Sequence, residues 1–163
     1  MTAPERTRTF TWDDPLATAH AGSKMSGLES LRAMIAGKLA RPPIAQAMDF
    51  ALEEVSEGRA VFSVVPAEFH YNPIGVVHGG LAATLLDSAM ACAIYSRLPA
   101  GRAYTTLELK VNFVRAVKKD TGKMRAVGTV IHLGGKVATA EGKMFDANDK
   151  LYAHATTTCL MVG

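Results

Sequence analysis

The chain has 163 residues, of which 48% are hydrophobic and only 7% aromatic, and its formal net charge is +3 at pH 7. This length and apolar content predict one domain with a packed core. The basic residues do not cluster with aromatic ones, which disfavours a nucleic-acid-binding protein, whereas a mildly basic chain fits an anionic small-molecule substrate.

The first part of the chain is polar and is interrupted by prolines and a glycine, a composition typical of an irregular segment. We therefore expect an irregular arm over residues 1–25 and a single domain over residues 26–163. The arm has no continuous apolar segment followed by a small-residue cleavage site, which predicts that no signal peptide is present. Together with two cysteines that we expect to be reduced, Cys92 and Cys159, this favours a cytoplasmic protein.

The domain is predicted to begin with a helix and two strands. Ser26 is followed three residues later by Glu29, the spacing of a capping box that starts a helix, and Pro42 ends it. Two strands then follow, with a turn at Glu57-Gly58 between them. After a long apolar helix, four more strands are predicted, at residues 104–115, 124–133, 137–145 and 151–161.

The long apolar helix, residues 79–96, carries a single formal charge, that of Asp87. Its apolar residues cover most of the circumference, which indicates a helix that other structure surrounds. We therefore predict an α+β fold in which a curved antiparallel sheet wraps around this helix. Polar side chains at its centre, Thr84, Asp87 and Ser88, argue against a membrane span. Because burial of an unpaired carboxylate costs several kcal/mol, Asp87 needs either a hydroxyl partner, such as Thr84 or Ser88, or a chemical role.

The segment from His70 to Met90 contains an Asn, a short glycine-containing loop, a His-Gly-Gly that opens the helix, and an Asp two helical turns later. This order resembles that of the hotdog-fold acyl-CoA thioesterases of the phenylacetic-acid-degradation (PaaI-like) type. The corresponding residues are Asn72, Gly75, His78, Gly79, Gly80 and Asp87. The resemblance implies a hotdog fold with an additional N-terminal helix, and hydrolysis of an acyl-CoA to a free acid and CoA. It implies no cofactor, since CoA is part of the substrate.

Thioester hydrolysis requires a hydrogen-bond donor to the developing oxyanion, an attacking water and a base. A helix N-terminus offers backbone N–H groups without helical partners. The resemblance implies that the Gly79 amide, helped by Asn72, polarises the thioester carbonyl, and that Gly80 lies against the substrate. It implies Asp87 as general base or as nucleophile, and both stay open. His78 either acts on the leaving thiolate or the carbonyl, or holds the loop before the helix.

Gly79 and Asp87 lie eight residues apart on one helix, which separates them by about 12 Å at a rise of about 1.5 Å per residue. That distance is too long for both groups to contact one carbonyl carbon. The resemblance implies a dimer in which Gly79 of one subunit faces Asp87 of the other. It also implies that two such dimers pair into a homotetramer.

The resemblance further implies a hydroxyl, on the strand after the helix, that positions the attacking water. It assigns this role to Thr106, while Thr105 points to the opposite face because side chains alternate along a strand. Beyond this strand, Arg115 and Lys118 are candidates for binding the phosphates of CoA, although each is also typical of a solvated surface. We expect no metal site, because neither the histidines nor the cysteines have ligand spacing.

Two other functions fit the same fold, a hydratase or dehydratase of acyl thioesters and a non-catalytic acyl-CoA sensor. The hydratase pattern requires a His after the Asp, and no His follows Asp87 within the helix. A sensor has no need of a base such as Asp87. The sequence therefore favours the thioesterase. Small residues beside the helix, such as Ala83 and Ala91, leave room for an aromatic or medium-length acyl group.

Overall fold

The computed structural model describes residues 5–163. They form four α-helices, which are α1 (Pro15–Gly22), α2 (Gly27–Ile35), α3 (Pro43–Met48) and α4 (Gly79–Tyr95). They also form six β-strands, which are β1 (Phe50–Ser56), β2 (Arg59–Val64), β3 (Ala103–Phe113), β4 (Met124–Leu133), β5 (Val137–Phe145) and β6 (Leu151–Val162). Short 3₁₀ helices lie in the loops before α4 and after β3, at Glu68–His70 and Lys119–Thr121.

The six strands form one sheet in the order β1-β2-β4-β5-β6-β3, and every neighbouring pair is antiparallel. Helix α4 contacts all six strands, so the sheet wraps around the helix and the core lies between them. This arrangement confirms the predicted α+β hotdog fold. Within residues 5–163, no helix has both the length and the apolar character that crossing a membrane requires.

The buried side of α4 forms the centre of the core. Leu85, Met90 and Ile94 have no exposed surface, and burial of each such side chain contributes about 1.5–3 kcal/mol. The helix approaches β4 so closely that a Cβ at Gly128 would lie 2.3 Å from the carbonyl group of Ala89. This contact requires glycine and fixes how deeply α4 lies against the sheet.

One side of α4 remains uncovered by the sheet. Half-buried residues recur along it at helical spacing and form what we call the open stripe, which consists of Gly80, Ala83, Thr84, Asp87, Ser88, Cys92 and Tyr95. Strand β3 runs beside this stripe, as two contacts show. Thr106 donates a hydrogen bond to Asp87, and the rings of Tyr104 and Tyr95 lie 5.7 Å apart. Among the described strands, β3 pairs only with β6. The uncovered helix face therefore lies next to an edge strand.

The irregular arm predicted for residues 1–25 is only partly correct. Residues 1–4 lie outside the described part of the chain, and residues 5–14 contain neither helix nor strand. Residues 15–22, however, form α1, so the prediction is wrong for this segment. The Asp14 side chain accepts hydrogen bonds from backbone N–H groups of the first turn, and a proline occupies the first helical position. Capping, and not an amphipathic pattern, starts this helix.

Helix α2 begins at the predicted capping box but ends earlier than predicted. Its last residue is Ile35, because Gly37 adopts a left-handed conformation with φ of +69°. Such a glycine is a common C-terminal cap, since it has no Cβ to clash with the preceding carbonyl. Pro42 therefore does not end α2 but precedes α3, whose first residue is Pro43.

Candidate active site

The Asp87 carboxylate lies on the open stripe and has a hydroxyl partner on β3. The Thr106 hydroxyl donates a hydrogen bond to Asp87 Oδ1 at a distance of 3.0 Å. Thr106 is half-buried, whereas Thr105 is exposed, as strand alternation predicts for neighbouring residues. The geometry therefore brings Thr106, and not Thr105, to the carboxylate. The alternative partners Thr84 and Ser88 do not supply that bond, and the Thr84 hydroxyl donates instead to the Gly80 carbonyl.

Cys159 contacts this pair, while Cys92 on α4 and Tyr104 on β3 lie farther along the same elements, and the sequence analysis did not place these side chains here. Cys159 lies opposite Thr106 in the β3–β6 register, with its Sγ 3.9 Å from the Thr106 hydroxyl. Burial, reinforced by the Asp87 carboxylate, raises the pKa of the Cys92 thiol to about 12, and burial likewise raises the pKa of Cys159. Burial also raises the pKa of Tyr104 well above its ordinary value. These groups stay neutral near pH 7, so none adds a second negative charge beside Asp87.

At the other end of the stripe, His78 caps the N-terminus of α4. Its Nδ1 accepts a hydrogen bond from the Gly80 N–H at 2.8 Å, and its carbonyl accepts one from Leu81 N–H. The His78 backbone N–H donates to the His70 carbonyl at 2.8 Å. These bonds give His78 a structural role at the start of the helix. Among the described residues, none accepts a hydrogen bond from the Gly79 N–H, which leaves this donor available to a ligand.

The Asn72 side chain organises the loop before the helix. Its Oδ1 accepts from the backbone N–H groups of Ile74 and Val76, at 3.1 Å and 3.3 Å. Gly75, between them, has a φ of +80°, which permits the turn. The side-chain oxygen of Asn72 therefore stabilises the turn, and only the side-chain NH₂ group of Asn72 is left to donate a hydrogen bond to a substrate.

A cavity of about 340 Å³ opens beside the N-terminus of α4, and Gly79, Phe113 and Arg115 are among its lining residues. A Cβ at Gly79 would lie 3.1 Å from Cζ of Phe113, so the tip of this ring packs against the glycine. Arg115 Nη1 donates to the Leu151 carbonyl at 2.7 Å. Lys118 is exposed and does not line the cavity. Phe113 was not singled out from the sequence, because nothing local marks the end of β3 as a contact of Gly79.

Asp87 does not line the cavity at Gly79. The two groups are separated along α4 by the eight residues that the sequence indicates, or about 12 Å. A single subunit thus holds a backbone donor at one position and a carboxylate with its hydroxyl partner at another. No carbonyl group can contact both within one copy of the helix.

The remaining histidine of this region is a structural residue. His70 is buried, its Nδ1 accepts from the Ala67 N–H, and its Nε2 lies 2.9 Å from the Met48 carbonyl, to which it donates in the neutral ring. Burial lowers the pKa of His70. In the part of the chain that the structure describes, no three His, Cys, Asp or Glu side chains lie close enough together to hold a metal ion.

Comparison with known proteins decides the family. The model described as the thioesterase superfamily matches residues 74–153, which include the Gly79 donor, Asp87 and Thr106. A protein of Archaeoglobus fulgidus named "Putative esterase" is 30% identical over 115 residues, which are 71% of this chain and 72% of that protein. The chain belongs to the thioesterase superfamily. Its resemblance to hotdog thioesterases is therefore confirmed, and it is an enzyme of a thioester-hydrolase family.

Two further comparisons indicate which kinds of thioesterase this chain is similar to. The 1,4-dihydroxy-2-naphthoyl-CoA hydrolase of Listeria monocytogenes is 27% identical over 97 residues, covering 60% of this chain and 77% of the hydrolase. The solved structure of a phenylacetic acid degradation-related protein of Ralstonia eutropha JMP134 superimposes with a TM-score of 0.72 at 26% identity, covering 80% of this chain and 98% of that one. The PaaI-like type inferred from the sequence is consistent with both.

Proposed function

We propose that this thioesterase hydrolyses an acyl-CoA to a free acid and CoA at a site shared by two subunits. The main support is the Asp87 carboxylate, which lies on the open stripe of α4 and accepts a hydrogen bond from the Thr106 hydroxyl. The first N–H of the same helix, that of Gly79, has no protein acceptor among the described residues. The kinship to a CoA-thioester hydrolase supports CoA as the carrier. The catalytic domain is proposed to comprise residues 26–163.

In the proposed reaction, the thioester carbonyl oxygen accepts a hydrogen bond from the Gly79 N–H of one subunit. A water beside the partner's carboxylate attacks the carbonyl carbon while Asp87 takes its proton. The tetrahedral intermediate then breaks its C–S bond, and the CoA thiolate leaves and recovers the proton from Asp87. Removing an oxyanion donor of this kind typically lowers the rate by about 10²–10³. The Thr106 hydroxyl orients the carboxylate and the water.

Asp87 could instead attack the carbonyl directly. The products would then be a mixed anhydride and CoA, and water would hydrolyse the anhydride in a second step. Both routes use the same donor and the same carboxylate. When water attacks the Asp87 carbonyl carbon of the anhydride, single-turnover hydrolysis in ¹⁸O-labelled water transfers ¹⁸O into the Asp87 carboxylate and the first acid released carries none. In the general-base route the ¹⁸O enters the released acid and Asp87 stays unlabelled, so labelled Asp87 identifies the nucleophilic route.

A homodimer supplies the arrangement that one subunit lacks. The open stripe of α4 and the edge of β3 lie side by side, and two copies that pair antiparallel would cover both. Leu107 on β3 is 57% exposed and gains burial in such an interface. Two of these dimers would associate further into the tetramer that the family resemblance implies. The free thiols of Cys92 and Cys159 fit a reducing cytoplasm, where we propose that the enzyme acts.

The first experiment measures thiol release from a panel of acyl-CoAs by wild type, Asp87→Asn and Asp87→Ala. Exposed Asp13→Asn serves as the matched control. We expect both Asp87 variants to lose about 10²–10⁴ in kcat while oligomeric state and circular dichroism stay unchanged. Tight acyl-CoA binding without turnover in wild type would instead identify a sensor, and hydration of an enoyl-CoA without thiol release would identify a hydratase.

The shared site has its own test, which mixes two inactive chains. Asp87→Asn subunits are co-expressed with Gly79→Val subunits, and the mixed dimer is purified by two different tags. One of its two sites then contains both an intact Gly79 and an intact Asp87, so we expect about half of the wild-type activity in a two-fold symmetric dimer. An inactive mixed dimer that is folded would place donor and carboxylate in the same subunit and overturn the proposal.

A further inference from the structure

A second cavity, of about 560 Å³, lies at the C-terminal end of α4. Its walls come from α1, from α2 and the segment after it, from the end of α4 and from the start of β3. This volume is within the range of small-molecule sites, about 300–1,000 Å³. The proposed reaction as described above does not use it.

The walls of this cavity suit an uncharged apolar group. Met34, Leu39 and Pro42 line it together with the Tyr95–Tyr104 ring pair. Two arginines also line it, but each bonds to protein acceptors. Arg41 donates to the Gln46 side-chain oxygen at 2.7 Å, and Arg102 donates to the carbonyl groups of Gly163 and Gly135. The rest of the lining is mainly apolar, so the cavity is suited to a hydrocarbon group.

The cavity begins close to the proposed catalytic carboxylate. Tyr104, which lines it, precedes Thr106 by two residues on the same face of β3, a distance of about 6.6 Å along a strand. Tyr95, the last residue of the open stripe, lines the cavity as well, and its ring lies 5.7 Å from that of Tyr104. An acyl chain of medium length that leaves the reacting carbonyl at Asp87 and follows the open stripe therefore reaches the cavity, whose Tyr95 wall lies eight residues, or about 12 Å, farther along α4.

We infer that this cavity is the acyl-binding pocket of the enzyme, and that it selects medium-length or aromatic apolar acyl groups. The inference rests on the proposed function. CoA would extend from the carbonyl into the partner's cavity at Gly79, and the acyl group would extend the opposite way, under α1 and α2. The pocket walls from residues 15–43 lie outside the matched residues 74–153, so part of the acyl selectivity is encoded outside the catalytic segment.

Substitutions of Met34 test the pocket in both directions. Met34→Trp fills the cavity, and Met34→Ala enlarges it, while Ile35→Trp on the same helix is the control because Ile35 is 43% exposed and does not line the cavity. The kcat/KM of each variant is measured for acetyl-, hexanoyl-, decanoyl- and phenylacetyl-CoA. Acetyl-CoA reports whether folding and chemistry are intact, since its acyl group does not reach Met34.

We expect Met34→Trp to lower the decanoyl-to-acetyl and phenylacetyl-to-acetyl ratios about tenfold or more, in line with the effect of pocket size on specificity. Met34→Ala should raise the decanoyl ratio, and Ile35→Trp should change no ratio more than about twofold. If wild type hydrolyses these substrates and neither Met34 variant shifts the ratios, the pocket assignment is wrong while the proposed function stands. If wild type hydrolyses none of them, the proposed function itself fails.

Discussion

Replacement of Thr106 by valine removes the hydroxyl that donates to Asp87 and keeps nearly the same shape. A hydrogen bond to a charged group contributes about 1.5–3 kcal/mol, and each 1.36 kcal/mol changes a rate about tenfold. Thr106 and Asp87 are both half-buried, so water partly replaces the lost donor and the lower part of this range applies. We therefore expect kcat to fall about 10–30-fold in Thr106→Val, with KM for the acyl-CoA nearly unchanged.

The assay is steady-state thiol release with the best acyl-CoA of the panel, and two matched variants accompany it. Thr106→Ser keeps a hydroxyl and should retain most of the activity. Thr105→Val changes the same type of residue on the opposite, exposed face and should behave as wild type. A Thr106→Val enzyme within twofold of wild type, or a Thr106→Ser enzyme as slow as Thr106→Val, would refute a role for this hydroxyl in positioning Asp87.

Three further predictions concern other parts of the structure. Gly79→Ala should lower kcat about 10²-fold, because the added methyl group obstructs the approach of the substrate carbonyl to the Gly79 N–H. A second substitution in the same chain, Phe113→Ala, removes the side chain that the methyl group would contact at 3.1 Å and should not restore kcat. Restored activity in the double variant would mean that Gly79 is required only for packing against Phe113. Arg115→Ala should raise KM about fivefold or more for acyl-CoA but not for acyl-pantetheine, which lacks the nucleotide phosphates; equal effects on both would exclude a phosphate contact. Because burial lowers the pKa of His70 below 6.5, the unfolded chain takes up a proton near that pH before the folded chain does, so stability should be full above pH 6.5 and decrease as the pH falls through it. Urea unfolding at pH 7.5 and 5.5 should give a smaller pH dependence in His70→Gln, and an equal dependence would assign the effect to other groups.

Much of the fold could be predicted from local sequence signals. β4 and β5 have the predicted bounds, and the predicted turn between β1 and β2 includes Gly58 with φ of +75°. Alternating or β-branched runs that end at glycine or asparagine turns carry this information locally. The wrong predictions concern the N-terminal region. The polar composition of residues 1–25 hides the Asp14 cap that starts α1, and the prolines at 42 and 43 draw attention away from Gly37, which ends α2.

The candidate site was predictable only in part. Asp87 and Thr106 were identified because a lone charge on an apolar helix is conspicuous and because the resemblance supplied the strand position. Cys159 and Phe113 were not, since their places depend on the register of β3 against β6 and on how that strand crosses α4. Such long-range pairings leave no local periodicity in a single sequence.

The separation of Gly79 and Asp87 along one helix has a consequence for the life of the enzyme in the cell. Under the proposed arrangement, a newly synthesised chain folds without any working centre, and hydrolysis starts only when two chains meet. Specific activity should therefore decline on dilution below the dissociation constant of the dimer, and a rise in expression should increase total activity more than in proportion at low abundance. A subunit that is scarce would thus leave the acyl-CoA pool untouched.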